Sequence, residues 1–295
     1  MKKQRLMTGL LGLAAVAALA VNGRAAVITS ADPGGADAEL RESAPTQNRG
    51  SSTEIASRIA TGSRNSVIYL KFGVGGITAG ELAHDIKVRT TYRNTNLAPG
   101  RIEWTNNNAS GLNTGFDYYV MDPTLTGADW DEATITPLTA PAYSFDGNFD
   151  TKATGSPAAP TAGLTYLGTQ LFDSADLVGA NAHLPVGGAF VLTASPGSPL
   201  HSAIVAAQGT AHQTVTVAMS IAHETNNPNN NWLNFNYLFN PKEQTTLNND
   251  ADSPWGGADN STGAFAPALI TVPEPSTVAL LGVAGLGLLA ARRRR

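Results

Sequence analysis

The chain has 295 residues, of which 42% are hydrophobic and 14% charged, with a net charge of −4. It contains no cysteine, which excludes a disulfide framework, a thiolate metal site, a cysteine nucleophile and an acylated lipoprotein cysteine. Its acidic, lysine-poor middle offers no phosphate-neutralising patch, so nucleic acid is not an expected partner.

The first residues read as an address. Lys2, Lys3 and Arg5 form a positive region, and Leu6 to Val21 is an apolar run rich in Leu and Ala. Small residues at Ala20 and Gly23-Arg24-Ala25-Ala26 supply cleavage sites, so 1–26 is predicted to be a signal peptide. A retained anchor is the alternative.

Residues 27–271 are rich in Gly, Pro, Thr, Asn and Ala, with short β-forming runs between turn signals. In Ser66–Phe72 the residues Ile68, Leu70 and Phe72 alternate onto one face, and Ile86, Val88, Thr90 and Tyr92 do the same. Thr214–Ile221 and Trp232–Phe239 repeat the pattern. Further strands are expected over Arg101–Thr105, Phe116–Met121, Ala133–Thr136, Leu164–Leu171, Ala189–Thr193 and Ala268–Val272. No helical stripe stands out. Asp150–Ala162 and Asn248–Gly263, rich in Pro and Gly, read as loops.

Several pieces fall in an order that resembles the disaggregatase-related domains, β-sandwich modules grouped with carbohydrate-binding modules. They are Asn48-Arg49-Gly50, Arg64–Phe72, Asp129–Thr136 with Ala140-Pro141, Phe239–Glu243 and Pro267–Leu269. The chain departs from that pattern at Gly73, where an acidic residue usually follows the Phe, and at Pro137. The resemblance implies a jelly-roll-like sandwich that contacts polysaccharide.

Trp130 and Glu132 carry the best piece of that pattern, and the structural reading is preferred for both: a core Trp with a bonded N–H and a Glu closing a turn. Trp104, Tyr118, Tyr119, Trp232 and Trp255 are the stock for a sugar-stacking platform, with Trp104 and Trp232 the first candidates. Asn106–Asn108 and Asn229–Asn231 flank those two rings with hydroxyl-binding amides. Asp250 and Asp252 are candidate oxygen ligands for a structural calcium; no other cofactor is expected. Catalytic signals are thin: five dispersed histidines, and His223-Glu224 without the second His of a zinc helix.

The last residues, 272–295, form a second address. Val272-Pro273-Glu274-Pro275-Ser276 is a rigid polar tag, Val278–Ala291 an uncharged apolar run of fourteen residues, and Arg292–Arg295 a basic end. As a helix the run reaches roughly 21 Å against about 30 Å of hydrocarbon, short for a permanent span. The arginines orient it with their end in the cytoplasm. This stretch resembles the PEP-CTERM sorting signal, which implies an exosortase-type membrane enzyme as partner. The expectation is therefore an all-β, jelly-roll-like sandwich flanked by a signal peptide and a short transmembrane sorting helix. It describes an exported protein, transiently anchored and then placed at the cell surface or in the matrix. A non-catalytic role touching polysaccharide is favoured over a polysaccharide-degrading enzyme or a purely structural adhesin.

Overall fold

Strands in this chain form where β-branched and aromatic residues alternate with polar ones, and the alternation dictates which face each side chain meets. In the computed structural model, residues 25–59, 66–93, 114–143, 162–172, 189–223, 235–244 and 263–271 are described. The strands are β1 (Val27–Thr29), β2 (Ala36–Arg41), β3 (Ile55–Ile59), β4 (Ser66–Gly73), β5 (Ile86–Arg93) and β6 (Thr114–Met121). They continue with β7 (Leu164–Phe172), β8 (Ala189–Ala194), β9 (Thr214–His223), β10 (Phe235–Phe239) and β11 (Ala268–Thr271). Among the described residues one α-helix, α1, covers Pro199–Gln208, and a 3-10 turn covers Glu81–Ala83.

All described pairings are antiparallel, and they make two sheets. One runs β8-β5-β11-β1. The other runs β2-β4-β9-β6-β7. At one corner β10 pairs with β3 and with the end of β5, so the sheets share hydrogen bonds there. The architecture is that of an all-β sandwich.

Between the sheets lies the larger core. Ile68, Leu70 and Phe72 of β4 face it together, as their spacing predicts, with Val215, Val217 and Met219 of β9 and Ile86 and Val88 of β5. Phe116, Phe190 and Phe239 meet edge to face, with the Phe116 ring centroid 5.2 Å from that of Phe239 and 5.4 Å from that of Phe190.

The opposite face of the second sheet is also covered. Residues 122–143 cross it and bury Val67, Tyr69, Tyr119, Met121 and Ala218 under Ala128, Trp130, Ile135 and Ala140. Strand β4 is consequently buried on both sides from Ser66 to Phe72.

Two expectations are corrected. Ala133–Thr136 is irregular, a turn through Ala133 and Thr134 followed by two residues without regular structure, rather than a strand. Asp131 supplies the reason, since its side chain accepts the Ala133 N–H at 3.0 Å and its carbonyl accepts those of Thr134 and Ile135. The absence of a helical stripe is corrected by α1, where Leu200, His201, Ala203, Ile204 and Ala207 are buried. That stripe is short, with two alanines and a histidine among its five buried residues, and the helix opens on Pro199 at the first turn, a position that tolerates proline. Gly73, the departure from the resemblance, has a steric reason: a Cβ there would stand 2.5 Å from the Pro33 carbonyl oxygen.

Among the described residues no helix is long and apolar enough to cross a membrane. The expected strand Arg101–Thr105 and both expected loops lie outside the described residues, except for the loops' last residues, 162 and 263.

Candidate functional site

Strand β2 is an edge strand whose register sets up an unusual polar corner. Asp37 pairs with Leu70 and Glu39 with Ile68, so both acids stand on the inner face of the sheet at its margin. Asp37 is 0% exposed and Glu39 1%. Glu39 is neutralised by two guanidinium groups, Arg41 at 2.8 Å and Arg49 at 3.0 Å.

Asp37 meets a different set of partners. Its Oδ2 accepts the Ser30 hydroxyl at 2.6 Å and the Lys242 backbone N–H at 3.1 Å. The Asp37 N–H, on the free edge of the strand, is capped by Glu132 Oε1 at 2.9 Å. A carboxylate in that place stops a further strand from adding to the edge. Glu132 Oε2 accepts a short bond from Lys242 Nζ, which also donates to Glu243 Oε1 at 2.6 Å. Asp37, Glu132 and Glu243 thus converge, each placing an oxygen within 4.8 Å of the others, and they form a group able to hold a metal ion.

The neighbouring Asn48-Arg49-Gly50 turn holds this corner. Asn48 Nδ2 donates to the carbonyls of Glu132 and Ile135, both at 2.7 Å. Gly50 has no room for a side chain, because a Cβ would meet the Glu132 carbonyl oxygen at 2.2 Å. Arg49 is the partner of Glu39 already described. The three residues therefore bind two different stretches of the chain at once.

Charge in the corner is unevenly matched. The Asp37 carboxyl is pushed up to about 8, mainly by burial and also by repulsion from Glu243 and Glu132, while the bonds from Ser30 and Lys242 oppose the rise. Burial likewise raises Glu243, against its bond from Lys242 and with repulsion from Glu132. Burial pulls Lys242 down, but its bonds to Glu132 and Glu243 outweigh this and hold it above the ordinary lysine value.

The residues singled out in the sequence fall as follows. Trp130 is a core residue, 5% exposed, with its indole N–H donating to Thr216 Oγ1 at 2.9 Å and the Lys71 ammonium 4.9 Å from its ring centre. Glu132 accepts a backbone N–H as expected, but from strand β2 rather than within its own turn. Tyr118 and Tyr119, 0% and 6% exposed, are core rings and unavailable as a sugar platform. His201 is buried and structural, bridging Ser198 and the His84 carbonyl. Trp104, Trp232, Trp255, Asp250, Asp252 and the tag Val272, Pro273, Glu274, Pro275 and Ser276 lie outside the described residues. Asp37 was not legible as a site residue: the one signal, acids at alternate positions of Ala36–Arg41, also fits a solvated strand face.

Fold and corner together define a small all-β sandwich with a buried ionic seam. Residues 271–295 match the PEP-CTERM protein-sorting motif. The motif makes this an exported protein whose C-terminal segment is recognised by an exosortase, a membrane processing enzyme. It starts at Thr271, the last residue of β11. No curated protein matches the chain.

Proposed function

We propose that this is a non-catalytic component of the cell surface or extracellular matrix that contacts polysaccharide through its sandwich domain. The observation that carries the reading is the sorting motif joined to the end of the last core strand, Ala268–Thr271. A protein built this way is delivered outside and then released or transferred, with the folded domain as cargo. Glu274, held between Pro273 and Pro275, is the residue the processing enzyme reads.

Polysaccharide contact is supported by the resemblance to disaggregatase-related domains. Residues quoted for it, Asn48, Arg49, Gly50, Glu132, Lys242 and Glu243, lie in one corner of the fold. The non-catalytic reading draws on the same corner, because the carboxyl of Asp37 is fully buried and out of reach of a polymer. Trp104 and Trp232 are the proposed stacking rings.

Glycan-array binding of the purified full-length chain tests the reading. Trp104→Ala and Trp232→Ala should each weaken binding by about 1–2 kcal/mol while leaving the circular dichroism spectrum unchanged. Cleavage of an arrayed glycan would replace this reading with the polysaccharide-degrading enzyme, and no binding at all would favour the structural adhesin.

A further inference from the structure

The ionic corner carries more negative charge than its visible partners balance. Asp37 comes from β2, Glu132 from the covering segment, and Glu243 from the turn after β10, yet their carboxylate oxygens gather within 4.8 Å. Among the described residues a single ammonium, Lys242, bonds to two of them. Two carboxylate oxygens, Asp37 Oδ1 and Glu243 Oε2, are buried with no hydrogen-bond donor among the described residues. Asp37 is the stronger case, since the residue has no exposed surface at all. Asn240, just before the turn that bears Glu243 and 1% exposed, has no partner among the described residues for either atom of its carboxamide. Buried polar atoms are nearly always satisfied, so orphaned oxygens in one carboxylate trio call for a ligand.

We infer that Asp37, Glu132 and Glu243 form a site for a hard divalent cation, calcium foremost, which takes the place of the Lys242 ammonium. The donors are all oxygens with no histidine or cysteine among them, which suits calcium and disfavours zinc or copper. Calcium also tolerates the irregular geometry of ligands brought from three stretches, where magnesium demands a regular octahedron. Lys242 has somewhere to go, because its side chain is already 19% exposed. The cation would tie the edge strand, the covering segment and the β10 turn together. Calcium in an exported module needs only weak affinity, in the range of about 0.1–1 mM.

The test uses the purified full-length chain, stripped with a chelator and titrated with calcium chloride. Thermal melting and tryptophan-sensitised terbium emission are followed; Trp130 lies two residues from Glu132 in the chain. One calcium should bind and raise the melting temperature by several degrees. Glu132→Gln keeps an acceptor for the Asp37 N–H and so preserves the fold, but it should weaken binding at least tenfold. Lys242→Met removes the competing ammonium and should strengthen binding. The double variant Asp250→Asn, Asp252→Asn should bind as the wild type does. No binding by wild type at about 10 mM calcium, tenfold above the weak end of extracellular sites, overturns the inference. So does equal binding by Glu132→Gln, or loss of binding in the Asp250, Asp252 double variant alone.

Discussion

The two faces of strand β4 are sealed by different physics. Toward the other sheet, Ile68, Leu70 and Phe72 meet hydrocarbon from β5, β6 and β9, and the aromatic cluster around Phe116 closes the space. Toward the covering segment, Tyr69 and Lys71 meet a layer pinned by directional bonds. Tyr69 donates to the Pro141 carbonyl at 2.8 Å, Lys71 donates to the Trp130 carbonyl, and Trp130 donates to Thr216. The first side tolerates exchange among apolar residues of similar volume, whereas the second depends on each partner being present. A segment without regular secondary structure can cover a sheet only if its backbone polar groups are individually satisfied. That is the task of Asn48, Asp131 and Lys71.

The largest effect should come from the apolar side. Phe116→Ala removes a fully buried ring of the aromatic cluster and should cost about 3–5 kcal/mol in denaturant unfolding. A loss under about 1 kcal/mol would mean that this core is not closely packed.

The polar side should show itself next, through pH. The Asp37 carboxyl is raised in the fold from 3.8 to about 8, so the folded state binds a proton that the unfolded chain has released. Stability contributed by this group is complete below pH 4 and is lost as pH rises toward 8, at up to about 1.4 kcal/mol per pH unit. Glu243 acts in the same direction. Chelator-treated protein should therefore melt higher at pH 5 than at pH 8, and Asp37→Asn should flatten that slope. An unchanged slope in the variant would remove Asp37 as its source.

A smaller effect separates shape from bonding in the cover. Trp130→Phe keeps an aromatic ring but leaves the Thr216 hydroxyl, buried on the sheet, without its donor. The expected cost is about 1–2 kcal/mol. A neutral result would show that apolar contact alone holds this layer.

The same contrast explains what could be read from the residues alone. Strands β4, β5 and β9 were legible because each has one apolar face with period two, and that pattern survives whatever covers the other side. Strand β2 escaped notice because Asp37 and Glu39 occupy its inward positions, which reads as a solvated strand until Arg49 and Lys242 are brought up by the fold. Helix α1 was hidden because its buried face is short and gives only Leu200 and Ile204 as strong apolar signals beside Ala203, Ala207 and His201. The segment from Trp130 to Thr136 alternates like a strand, and only the local bonds of Asp131 turn it into a cover. Of the ionic corner, Glu132 stands in the Trp130–Thr136 motif and Lys242-Glu243 in the Phe239–Glu243 piece. Their meeting with Asp37, across separations of 95 and 205 residues, is a property of the topology. The C-terminal tag was legible in full because it acts as a linear peptide, with order and charge rather than packing as its signal.

The central claim is that the domain is cargo and that the segment from Val272 onward is a sorting device. Mass spectrometry of the mature protein from its native host, beside a Glu274→Ala variant, tests this most directly. The account predicts a wild-type C-terminus near the Pro273-Glu274-Pro275 tag with the arginine end gone, and a variant that keeps its full tail. A mature wild-type protein that still ends at Arg295 would contradict it.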